Sequence, residues 1–127
     1  MQDYHLYEYA VIRVVPKVER EEFMNVGVVL YCASKKFLEI RYELNAPRLH
    51  ALSVTLDLDE IQAYLAALCT VCAGGKSGGT IGSFTISSRF RWMTATRSSV
   101  IQTSKVHPGF CLDPADTLEK LFQDLVK

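Results

Sequence analysis

Apolar and polar residues alternate along FLEIRYEL (37–44), which puts Leu38, Ile40, Tyr42 and Leu44 on one side of an extended chain and Glu39, Arg41 and Glu43 on the other. This period of two predicts a strand with one wet face. Two further strands precede it. YEYAVIRVVP (7–16) is rich in β-branched and aromatic residues, stops at a proline and is largely apolar on both faces, as a central strand is. FMNVGVVLYCA (23–33) aligns Met24, Val26, Val28, Leu30 and Cys32 as one continuous apolar face. Short polar turns join the three, so an antiparallel meander is expected.

The period then changes. Leu58, Ile61, Leu65, Leu68 and Cys72 recur at spacings of three and four, one stripe on a helix over 58–73. Asp57 is placed to cap it, with Glu60 in a capping-box position and Ala73-Gly74-Gly75 ending it. A second helix follows Asp113 as N-cap and Pro114 as first helical residue, burying Leu118, Leu121, Phe122, Leu125 and Val126. NAPRLHALSVTL (45–56) reads as an irregular connection with one helical turn, and GGKSGGTIGS (74–83) as a flexible glycine loop. FTISSRFRWM (84–93) and RSSVIQTSKV (97–106) read as short strands. The expected architecture is α+β: an antiparallel sheet with two main helices packed on it, a single domain over residues 1–127. A chain of 127 residues suits one core, which buries roughly two-thirds of the unfolded surface.

Charge modifies this picture more than composition does. The formal net charge is zero, yet residues 1–60 carry seven basic and ten acidic side chains. Between Ile61 and Leu112 there is no acid, while Lys76, Arg89, Arg91, Arg97 and Lys105 give five positive charges. A positive middle suits an anionic partner. Apolar runs reach only about eight residues, short of the roughly twenty that cross a membrane, so no membrane partner is expected. The opening MQDYHLYEYA lacks the basic and apolar stretches of a secretory leader, and the four cysteines read as buried small hydrophobes, so a cytoplasmic setting is expected.

Candidate chemistry concentrates in RFRWMTATRSSVIQTSKVHPGF (89–110). Guanidinium groups grip oxyanions through two parallel donors, and hydroxyls add neutral ones. Arg89, Arg91, Trp92, Arg97, Ser98, Ser99 and His107 are therefore the candidate anion- or partner-binding residues. On a strand, Arg89 and Arg91 would share one face; a competing reading pairs them with Glu39 and Glu43. His107 is the candidate acid or base if the protein acts on a phosphorylated substrate, although no carboxylate lies nearby before Asp113, which has a capping role. Asn25 and Gly27 interrupt an apolar strand and mark either a ligand floor, a bulge or a close approach of another backbone. Cys69, Cys72, His107 and Cys111 could supply a Cys3His zinc set, but Cys72 belongs to the apolar stripe, and no metal or other cofactor is expected. Gly75-Lys76-Ser77 mimics the end of a phosphate loop, but Thr70 stands where that motif needs glycine, and the stretch leaves a helix rather than entering one.

Four segments, YAVIRVVP, EFMNVGVVLYC, the run from Arg89 to Phe110 and DPADTLEKLFQDLV, together resemble the bacterial family catalogued as domain of unknown function 3037. The pattern maps onto Asn25, Gly27, Arg89, Arg91, Trp92, Arg97, Ser98 and His107. The resemblance implies a small bacterial cytoplasmic protein with no assigned activity. It also implies a partner, a kinase-like protein of the HipA type encoded nearby. The leading expectation is a non-catalytic accessory protein whose positive segment docks an anionic partner, whether protein, nucleotide or nucleic acid. The alternatives are the small enzyme using His107 and a structural subunit, such as a homo-oligomer, pairing through a sheet edge.

Overall fold

A computed structural model describes residues 3–95 and 99–127. Strand β1 (His5–Val14), β2 (Met24–Cys32) and β3 (Phe37–Tyr42) form the expected antiparallel meander. Helices α1 (Ala46–Leu52) and α2 (Leu58–Ala73) follow, then a helical turn α3 (Gly79–Gly82) and helix α4 (Ile86–Met93). Strands β4 (Ile101–Thr103) and β5 (His107–Cys111) lead into helix α5 (Pro114–Leu125). Both of these late strands pair antiparallel with β1: β4 with Ile12–Val14 and β5 with His5–Tyr9. Because β2 already pairs with Glu8–Val14, they share the opposite edge of β1. Where they part, Ser104 closes the ladder. Its Oγ accepts from the Val11 N–H at 2.8 Å, and its own N–H donates to the Val11 carbonyl at 2.8 Å.

Helices cover the sheet on both faces. On the first, Ala10, Ile12, Val14, Val29 and Tyr31 meet Leu49 of α1, Ile61, Leu65, Leu68 and Val71 of α2, and Phe90 and Met93 of α4. On the second, Val28, Leu30 and Cys32 meet Leu118, Phe122 and Val126 of α5. Each Val, Leu, Ile, Phe or Met among them contributes roughly 1.5–3 kcal/mol when fully buried. The wet face expected for the meander is therefore only partly wet. Arg41, on its outward side, lies 4.1 Å from the Phe122 ring centroid and donates to Glu119 at 3.0 Å.

The single apolar face expected for β2 is divided between the two cores. Ile12 pairs with Gly27 but Arg13 pairs with Asn25, so Val26 is the extra residue of a β-bulge. The bulge shifts the alternation by one. Met24 and Val26 join the first core, whereas Val28, Leu30 and Cys32 join the second.

The N-caps expected for the long helices hold. Asp57 accepts from the Glu60 N–H at 3.1 Å, and Asp113 from the Ala115 N–H at 2.9 Å. Three other expectations are corrected. Residues 86–93 form a helix, because Thr85 caps it by accepting from the Ser88 N–H at 3.2 Å and Ile86, Phe90 and Met93 supply a stripe at spacings of four and three. The connection after β3 holds α1, capped by Asn45, rather than one turn. The glycine segment contains a 3-10 turn at Lys76–Gly78 and α3, and is closed by the Gly75 N–H donating to the Gly82 carbonyl at 2.9 Å. No helix among the described residues is long and apolar enough to cross a membrane.

Candidate functional site

Helix formation at 86–93 reorganises the positive segment. Successive residues of a helix point about 100° apart, so Arg89 and Arg91 do not share a face as they would on a strand. Arg89 turns toward the end of α2. Its Nη1 donates to the carbonyls of Val71 at 2.8 Å and Cys72 at 2.7 Å, and its Nε to the Phe84 carbonyl at 3.2 Å. The last carbonyls of a helix lack intrahelical donors and carry partial negative charge, so a guanidinium is well suited to cap them. Gly74 makes room: a Cβ there would stand 2.8 Å from Arg89 Nη1, and its φ of +77° favours glycine in any case.

Arg91 is the exposed cation of this helix. Its Nη2 donates to Glu8 Oε2 at 2.7 Å, and its side chain is 54% exposed. Neither arginine meets Glu39 or Glu43; Glu43 instead accepts from Lys127 at 2.7 Å, which holds its carboxyl below the usual range. Trp92 is half-buried against the first core. Arg97 and Ser98, together with Thr96, lie outside the described residues. The Ser99 hydroxyl donates to the Ile101 carbonyl at 2.5 Å, within its own turn.

His107 lies on the other side of the sheet. It pairs with Tyr9 on the β1–β5 ladder, and cross-strand partners project to the same face. Tyr9 packs with the second core, 5.3 Å from the His107 ring. Glu8, one residue earlier, projects to the first face and meets Arg91 there. The sheet thus separates His107 from Arg89 and Arg91.

The zinc set is not brought together either, and no group of three or more His, Cys, Asp or Glu among the described residues is placed to hold a metal. Cys72 donates to Met93 Sδ at 3.8 Å, and burial pushes its thiol up to about 12, far from the thiolate that zinc binds. Burial also raises Cys69 and Cys111, the latter on β5. At the candidate ligand floor, a Cβ on Gly27 would meet Tyr42 Cβ at 2.8 Å and the Arg41 carbonyl at 2.9 Å. Gly27 therefore serves the close approach of β3. Asn25 Nδ2 donates to the Leu125 carbonyl at 3.1 Å, tying the bulge to the end of α5.

A surface that the sequence reading passed over lies beside Arg91. At the start of β1 and the end of β5 the first face is exposed. Leu6 and Phe110 are cross-strand partners, 53% and 71% exposed, and one step beyond them Tyr4 and Leu112 are 63% and 45% exposed. The alternation of Tyr4, Leu6 and Glu8, and of Phe110 and Leu112, was available in the sequence as a signal. Large contiguous apolar exposure of this kind marks interaction sites. Pro108 lies on the same strand and removes one donor from the sheet edge.

No curated protein and no solved structure matches the chain. The family described as "Protein of unknown function (DUF3037)" matches residues 9–126, which takes in all of the sheet except the first residues of β1, and every helix. The chain belongs to that family.

Proposed function

We propose that the protein is a non-catalytic interaction domain that docks a carboxylate-bearing protein partner on the uncovered end of its first sheet face. The observation that carries this reading is the exposure of the cross-strand partners Leu6 and Phe110, with Tyr4 and Leu112 exposed next to them along the chain. Two aromatics and two leucines supply the desolvated centre that protein interfaces favour. Arg91 at the margin supplies the anion contact. Its tie to Glu8 is exposed and exchangeable, so an acidic side chain of the partner can join or replace Glu8. The proline in β5 favours docking on the face over strand addition at the edge. In the bacterial cytoplasm that this reading assumes, the kinase-like protein of the HipA type is the first partner to try.

The test is affinity capture from the native host with the tagged chain, followed by identification of bound protein and nucleic acid. Phe110→Asp, which alters an exposed side chain, is expected to leave the fold intact and abolish capture. Arg91→Ala is expected to weaken capture about three- to tenfold, more at low than at high salt. Undiminished capture by Phe110→Asp with a native spectrum would overturn the reading. So would recovery of nucleic acid alone.

A further inference from the structure

Strand β3 is an edge of the sheet, pairing with β2 alone. The side of its backbone left free is set by parity. The Glu43 N–H donates to the Val26 carbonyl, and in an antiparallel ladder such bonded pairs alternate. Glu43, Arg41, Glu39 and Phe37 therefore turn their backbone groups toward β2, and Leu38, Ile40 and Tyr42 turn theirs outward. Counting inward from the Ser104–Val11 bond at the other edge gives the same parity. Among the described residues no group bonds the outward N–H or carbonyl of Leu38 or Ile40, and the Tyr42 carbonyl accepts from Arg41 Nη1 at 3.3 Å. The strand has neither the proline nor the bulge that would blunt such an edge.

We propose that this edge pairs with the same edge of a second copy of the chain, antiparallel about a dyad at Ile40, so that two sheets become one. The charges select the register. Glu39 and Arg41 project to the second face, on either side of Ile40. With Ile40 opposite Ile40, Glu39 of each copy lies opposite Arg41 of the other. The adjacent registers of the same parity set Glu39 against Glu39, or Arg41 against Arg41 and Glu39 against Glu43, and like charges directly opposite are destabilising. Glu39 is exposed and meets no cation of its own chain among the described residues. Arg41, also exposed, spends its Nε on Glu119 and keeps Nη2 for the pair. The ladder exchanges bonds at Ile40 and at both Leu38–Tyr42 positions, which engages the outward groups of all three residues. On the first face a groove of about 270 Å3 separates Leu38 and Ile40 from Cys69, Cys72 and Ala73 of α2. The side chains there are small on the helix side, so the α2 helices of the two copies can approach across the dyad. A second copy carries the matching charges at the matching spacing, which an arbitrary strand does not. The Leu6–Phe110 face lies at the other edge of the sheet and stays free, so this inference does not depend on the docking reading.

Sedimentation equilibrium on the full chain tests the pairing. A monomer–dimer equilibrium is expected, with a dissociation constant on the order of 10 μM for an interface of one strand and one helix flank. Glu39→Lys alters an exposed side chain, turns both attractive pairs repulsive and is expected to weaken association at least tenfold. Phe110→Asp is expected to leave association unchanged, which separates this edge from the docking face. Amide exchange followed by NMR locates the contact. The Leu38 and Ile40 amides are expected to exchange at least tenfold more slowly in the wild-type dimer than in Glu39→Lys, whereas the Arg41 amide, bonded to β2, is protected in both. Monomer alone at about 20 times the expected dissociation constant would overturn the proposal and leave the edge to a strand of another protein. A dimer that persists in Glu39→Lys, that is lost in Phe110→Asp, or that leaves the Ile40 amide unprotected would overturn it as well.

Discussion

A guanidinium can recognise an external anion only if its donors are not already engaged, and the arginines of this chain differ sharply in that respect. Arg89 has three carbonyl partners and stabilises the junction between α2 and α4. Hydrogen bonds from charged donors contribute more than neutral ones, and truncation would leave the Val71 and Cys72 carbonyls without this donor. Arg89→Ala is therefore expected to lower stability by roughly 2–3 kcal/mol in urea denaturation, and Arg89→Lys to recover only part of it. Capture of a partner by the folded Arg89→Ala protein should be unchanged. A loss of stability below about 0.5 kcal/mol would mean that the carbonyl contacts are incidental. Composition made Arg89, Arg91 and Arg97 look equivalent, because sequence reports charge and not what each donor meets.

At the scale of elements, the alternation that named β1, β2 and β3 was legible because each strand keeps a period of two over most of its length. It failed locally at Val26-Gly27, where one inserted residue redirects everything downstream. An even-numbered apolar set looked continuous, while the bulge sends its first half to one core and its second half to the other. Gly27 permits this by admitting the β3 backbone. Gly27→Ala is expected to cost roughly 1–3 kcal/mol, since the atoms a Cβ would meet are the Arg41 carbonyl and Tyr42 Cβ, neither of which can swing away. Urea denaturation reads the effect, and an unchanged midpoint would show that β3 yields freely. The misreading of α4 has a different origin. RFRW alternates well enough for a strand, but the Thr85 cap and the stripe of Ile86, Phe90 and Met93 span a longer window and prevail. Short windows favour whichever period is met first.

At the scale of the whole molecule, one sheet carries two cores, and whether they behave as one cooperative unit follows from how the sheet is built. Phe90 is fully buried on the first face and Phe122 on the second, in separate clusters. β2 contributes alternate side chains to both, so neither core persists once β2 is released. Cooperative unfolding in a single transition is therefore expected, as for most domains of this length. The direct energetic effects of substitution should nonetheless be local, because the two rings lie on opposite faces and share no contact. Phe90→Leu and Phe122→Leu are each expected to lower stability by about 1–1.5 kcal/mol, and the double variant by their sum to within about 0.5 kcal/mol. Fluorescence from Trp92, which packs on the first core, and far-ultraviolet dichroism, which reports all helices, should give coincident urea transitions in every variant. Separate transitions in Phe122→Leu, with the helical signal lost before the Trp92 signal, would show that α5 and the second core dissociate on their own. The exposed Tyr4, Leu6, Phe110 and Leu112 would then belong to a unit that opens independently, since β5 runs directly into the Asp113 cap of α5. Coincident transitions would instead fix that face to the rigid body of the molecule, which is what docking without reorganisation requires.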